Sequence, residues 1–181
     1  LARFQGTAVD RTTEEEPGKI LHEMRFGAAT GLRLGGGNIY YGSIDATPLF
    51  VMLLGELRRW NPGDHLAEGL LDHADRALEW IVTRGDRDDD GYVEYQRTSD
   101  SGLANQGWKD SWDAIRFADG TIAEPPIALC EVQAYTYAAY VARAHFAREA
   151  DDDATFEHWA TKARTLRRRF NEDFWLEDQG T

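Results

Sequence analysis

Two stretches of this chain are apolar on nearly every side, and each is followed by one that is apolar on a single face. The first, PLFVMLLGELRRW, is introduced by Thr47 and Pro48, a good N-cap and first-turn pair. The second, IALCEVQAYTYAAYVA, runs from Ile127 to Ala142. After the first, Leu66, Leu70, Leu71, Ala74, Ala77, Leu78 and Ile81 recur among Glu68, Asp75, Arg76 and Glu79, which predicts an amphipathic helix from about Asp64 to Gly85. After the second, Phe156, Trp159, Ala160, Ala163, Leu166, Phe170 and Phe174 predict another, with Lys162, Arg164, Arg167 and Arg168 outside. A helix apolar all round is buried on all sides, so the order reads inner, outer, inner, outer. Short connections, Asn61-Pro62-Gly63 and Arg148 to Asp153, make each pair an antiparallel hairpin. The expected class is all-α, two concentric layers of helical hairpins closing as a toroid, although an α-solenoid gives the same pattern.

Between the hairpins, Arg84 to Pro126 carries Gly, Asp, Ser and Pro throughout, and so long an irregular stretch in a compact domain is where chemistry is expected. Tyr92 to Tyr95 is the best candidate for a strand. The formal charge of -12 is spread along the chain and repels phosphate backbones and anionic lipid, so nucleic acid and membrane are not expected partners. The longest apolar run, Leu49 to Leu54, is far below the roughly 20 residues that cross a bilayer. A neutral sugar meets no such repulsion, and six Trp, seven Tyr and eight Phe supply flat faces for pyranose rings or for the core. The single cysteine, Cys130, reads as a small buried hydrophobe and allows neither an intrachain disulfide nor a cysteine zinc site. Together these features suggest a cytoplasmic protein. A start without Met and a final turn-like FWLEDQGT suggest that residues 1–181 are a single piece of a larger catalytic domain, with the rest of the same polypeptide as its partner.

Within the irregular stretch, GLANQGWKDSWDAIRF sets Asp110 between Lys109 and Ser111 with Trp108 and Trp112 close by. A carboxyl among bulky aromatics loses hydration, which favours its protonated form and suits a general acid, while a nearby ammonium opposes that shift. The bland reading is a loop aspartate capping a short helix. GWKDSWD resembles the glycogen-debranching, amylo-α-1,6-glucosidase type of glycoside hydrolase, in which a Trp-any-Asp step supplies the proton donor. YYGSIDATPLFV, Tyr40 to Val51, is similar to the segment of those families that holds the sugar at the cleavage subsite. PIALCEVQAYTYAA, Pro126 to Ala139, is similar to their Glu-any-Gln segment, and PGKILHEMRFG and RFNEDFW are weaker flanking likenesses.

The resemblance implies an (α/α)6 barrel that hydrolyses terminal α-glucosidic bonds with inversion and needs no cofactor. It makes Asp110 the general acid, assigns Tyr41 and Asp45 to the glucosyl subsite with Trp108 and Lys109 beside it, and makes Glu131 and Gln133 pocket-lining polar groups. The base would belong to a later hairpin. Ser101-Gly102 is followed by Leu103-Ala104-Asn105, a departure from the trehalase pattern because Ala104 is no acid.

Each residue also has a structural reading. Asp45 suits a helix N-terminus, and Glu131, early in a buried helix, requires a partner such as an arginine or a solvated cavity. Asp86, Asp88, Asp90 and Gly91 resemble a calcium loop, but Arg97 stands where a bidentate Glu is needed, so closure by Glu94 or a simple solvated turn are the alternatives. Phe26 stands four residues after His22, so His22-Glu23 lacks the second imidazole of a zinc helix. Gly35-Gly36-Gly37 precedes Asn38 rather than Lys and is no phosphate loop. The rival functions are a toroid glycosidase for small glucosyl or mannosyl glycosides and a non-catalytic helical sugar-binding or scaffold module.

Overall fold

The computed structural model describes residues 1–26, 37–63, 65–109 and 111–180. Gly35 and Gly36 of the glycine run, Asp64 and Asp110 lie outside the described residues. The chain is largely helical. Among the described residues four α-helices, α1 (Ala46–Trp60), α2 (Leu71–Trp80), α3 (Cys130–Glu149) and α4 (Asp153–Asp173), accompany one short antiparallel pair, β1 (Glu23–Met24) with β2 (Ile39–Tyr40). No helix among the described residues is long and apolar enough to cross a membrane.

The order of the helices follows the alternation of the sequence. α3 packs against both α1 and α4, and α2 packs on α1. Gly55 permits the α1–α3 approach, since a Cβ there would lie 2.7 Å from that of Ala142. Val51 and Leu54 of α1 and Val132 and Ala139 of α3 belong to one buried core, while Tyr140 and Trp159 meet across α3 and α4 at a ring separation of 5.3 Å. Arg143 on α3 reaches Asp75 on α2 with bonds of 2.6 and 3.2 Å, joining the two hairpins. The second hairpin is as tight as expected: Asp152 caps α4 by accepting the Thr155 N–H at 3.0 Å, and Trp159, Ala163 and Leu166 form the buried stripe.

Several local expectations are corrected. α1 starts at Ala46 with Asp45 in the N-cap position, and Thr47, fully buried, spends its hydroxyl on the Ile20 N–H at 3.0 Å. Thr47 is therefore a tether for the N-terminal arm rather than a cap. The second helix is broken into a 3-10 turn (Glu68–Leu70), α2, and a π-type turn (Ile81–Gly85), so its α-helical part is shorter than its apolar pattern. Tyr92 to Tyr95 forms no strand. Tyr95 makes an isolated bridge to Ile127, and the paired strands lie earlier in the chain.

The two apolar helices are also not buried on all sides. Leu53 is 47% exposed, Leu57 40% and Val141 43%, and a cavity of ≈ 420 Å³ lies between α1 and α3 against Met52, Tyr137, Ala138 and Val141. A uniformly apolar surface reports what a helix is able to bury. Partners must be present on each side for that capacity to be used.

Candidate functional site

The irregular stretch between α2 and α3 is organised by a few side chains. Asn105, buried, accepts the Gly107 N–H at 3.0 Å and donates to the Ser111 carbonyl at 3.2 Å, so one amide holds both flanks of the segment containing Trp108 and Lys109. Gln106 fixes the same segment from beneath, its carbonyl accepting the Ile44 N–H at 2.9 Å. This bond joins the loop to the Tyr41–Asp45 turn before α1. The two sequence segments singled out separately are therefore neighbours in the fold.

Trp108, Lys109 and Glu131 come together at the start of α3, around a cavity of ≈ 300 Å³ also lined by Asn105, Leu129 and Cys130. The Trp108 indole N–H donates to Glu131 Oε1 at 2.9 Å, and the Lys109 ammonium lies 5.7 Å from the Trp108 ring centre. The indole bond is the main reason that the Glu131 carboxyl sits below its ordinary pKa, against a smaller opposing effect of burial and with Lys109 adding a weak attraction. Glu131 is thus an ionised acceptor at neutral pH, and its partner is an indole rather than an arginine. Trp108 remains 58% exposed and Trp112 70% exposed, so both present apolar faces to solvent.

Cys130 corrects the expectation of a buried hydrophobe. It is exposed at the cavity, its thiol donates to Glu131 Oε2 at 3.2 Å, and burial together with that carboxylate raises its pKa. The first turn of α3 carries Cys130 at the surface and Val132 in the core, a difference that a uniformly apolar sequence does not encode.

The remaining expected site residues occupy different settings. Tyr41 is buried and donates its hydroxyl to the Phe4 carbonyl at 2.8 Å, which fastens the N-terminus. Asp45 is partly exposed at the N-cap position and makes no side-chain capping bond. Gln133 is fully buried with its amide committed to the backbone of Val93 and Leu129. Asp110 lies outside the described residues.

Asp86, Asp88 and Asp90 do converge, with one carboxylate oxygen from each within 4.8 Å of the others. The same carboxylates accept N–H groups of their own turn: Asp86 from Asp90 and Gly91, Asp88 from Asp90, and Asp90 from Tyr92. Asp89 at φ 62° and Gly91 at φ 88° shape that turn. Glu94, nearly buried beside them, has its pKa raised by burial and then by the Asp88 charge. Arg97 points elsewhere, donating to the Gly102 carbonyl at 3.4 Å. The turn is accounted for by its own hydrogen bonds.

Sequence reasoning did not single out Glu14, Asn105 or Gln106, all of which meet at this loop. The acidic run Glu14-Glu15-Glu16 before Pro17 was the available signal, but an exposed charge run reads identically. No known family model matches the chain, and no curated protein matches it.

Proposed function

We propose that the chain forms part of an (α/α)6 toroid glycoside hydrolase of the debranching type, which cleaves terminal α-glucosidic bonds with inversion. The observation that carries the reading is the Trp108–Glu131 hydrogen bond at the mouth of the cavity that Lys109 and Asn105 also line. An indole face beside an ionised carboxylate suits a pyranose, whose C–H face packs on the ring while its hydroxyls donate to the acid. Aspartate 110, next after Lys109 in sequence, would protonate the leaving oxygen as that bond breaks. A second carboxylate, in another hairpin of the same polypeptide, would take a proton from the water that attacks the opposite face, across a separation of about 6.5–9.5 Å. Glu131 is held ionised, so it serves as an acceptor for sugar hydroxyls and leaves the acid role to Asp110.

The groove between α1 and α3 supports the toroid part of the reading, because a ring of hairpins supplies further inner helices to cover such a face. The test is to incubate the active enzyme with a branched α-glucan, with small α-glucosides and with glucosyl glycerate, and to read the first-formed anomer by NMR. Release of β-glucose from the glucan is the expected result. Preference for the glycerate would instead favour a small-glycoside hydrolase, and no turnover of any of the three would favour a binding module.

A further inference from the structure

Glu14 is buried, 3% exposed, and stands at φ 58°, in the left-handed region that non-glycine residues rarely occupy. Its backbone carbonyl accepts a bond of 3.3 Å from the ammonium of Lys19, which is itself nearly buried and lies 5.3 Å from the Trp80 ring centre. Turned inward by this backbone, the carboxylate accepts from Gln106 Nε2 at 2.5 Å and from the Tyr40 hydroxyl at 3.4 Å. Tyr40 in turn accepts the Leu103 N–H at 2.9 Å. A Cβ added at Gly102 would collide with the Glu14 carboxylate, so the loop passes directly over it. One carboxylate from the N-terminal arm thus grips the Gly102–Gln106 loop, reaching Gln106 ninety-two residues later in sequence.

A buried carboxylate is costly, and well-packed apolar residues would stabilise the same contact at least as well. What a carboxylate adds is a directional bond that admits one arrangement of its donors. We propose that Glu14 is a positioning residue, which sets the loop so that Trp108 reaches Glu131 and Lys109 lines the cavity. The catalytic meaning of this role rests on the glucosidase reading above. The positioning itself does not.

The two indoles provide a test. Trp108 donates to Glu131, and Trp80 donates to Glu16 at 2.7 Å on the same N-terminal arm. Hydrogen exchange of both indole N–H groups is followed by NMR in the wild-type chain, in Glu14→Gln, and in the double variant Glu14→Gln with Gln106→Glu, which reverses the direction of the bond. In Glu14→Gln the Trp108 indole should exchange about tenfold faster, as expected for loss of a charge-assisted bond, with Trp80 unchanged. The double variant should restore it. In the active enzyme, Glu14→Gln should lower kcat/KM, with a raised KM as the sugar-binding pair loosens, and the double variant should recover it. An unchanged Trp108, an equal acceleration of both indoles, or a double variant without rescue would overturn the proposal. A wild-type enzyme without glucosidase activity would sink the functional reading, and the indole exchange would still decide the clamp.

Discussion

Gln133 acts as the strand partner that Val93 lacks. Its Oε1 accepts the Val93 N–H at 2.9 Å, and its Nε2 donates to the Val93 carbonyl at 2.7 Å. A further bond of 3.1 Å to the Leu129 carbonyl completes the amide. With both residues nearly inaccessible to water, Gln133→Leu leaves backbone groups of Val93 unsatisfied and should destabilise the chain by about 2–3 kcal/mol in urea melts. Gln133→Glu, which accepts but does not donate when ionised, should be closer to wild type in acid than at neutral pH. Near wild-type stability of the leucine variant would mean that water replaces the amide.

Asp45 stands at the start of α1 without a capping bond. Asp45→Asn should therefore leave the melting temperature unchanged while kcat/KM on the glucan falls by about tenfold or more, through loss of a charge-assisted bond to a sugar hydroxyl. A drop in stability of about 1 kcal/mol with activity intact would identify Asp45 as a cap.

The Trp108 indole holds Glu131 below its ordinary pKa, so Trp108→Phe should raise it. A carboxylate whose folded pKa is depressed adds stability that is fully present above its unfolded value and is lost as pH falls through the folded one. The destabilisation of Trp108→Phe relative to wild type should then be present at neutral pH and vanish in acid, where Glu131 is protonated in both proteins. Urea melts across pH, with carboxyl carbon NMR of Glu131, read this directly; a variant deficit that persists unchanged in acid would point to lost packing instead.

Assigned as general acid, Asp110 should matter only where the leaving group needs a proton. Asp110→Asn should lose about 10²–10⁴-fold on a glucan and much less on a glucosyl fluoride, and the alkaline limb of the pH profile should flatten. Equal losses on both substrates would remove Asp110 from that role.

The exposed Leu53 and Leu57 of α1 and the groove lined by Met52, Tyr137 and Val141 should make the 181-residue chain by itself bind a hydrophobic dye, and Val141→Lys should reduce the signal. Hydrolysis by that chain alone would require its base to be sought among residues 1–181.

The helical hairpins were legible in the sequence because their cause is local. Spacing of apolar residues along Leu66–Ile81 and Phe156–Phe174 selects a helix and its wet face, and Asp152 with Thr155 stops and starts the chain between α3 and α4. Trp108, Lys109 and Glu131 were likewise identifiable as residues worth watching. Their meeting was not, because it depends on contacts between segments far apart in the chain: Gln106 to Glu14, Ile44 to Gln106, and Trp108 to Glu131. The same limit applies to Tyr41, Thr47 and Gln133, whose hydroxyl and amide groups look available in sequence and are consumed by Phe4, Ile20 and Val93. Sequence alone determined which groups this protein carries and which helices display them. Tertiary structure decided which of those groups were spent on buried backbone and which were left facing the cavity, because every polar group taken from water must first be satisfied by whatever the fold brings beside it.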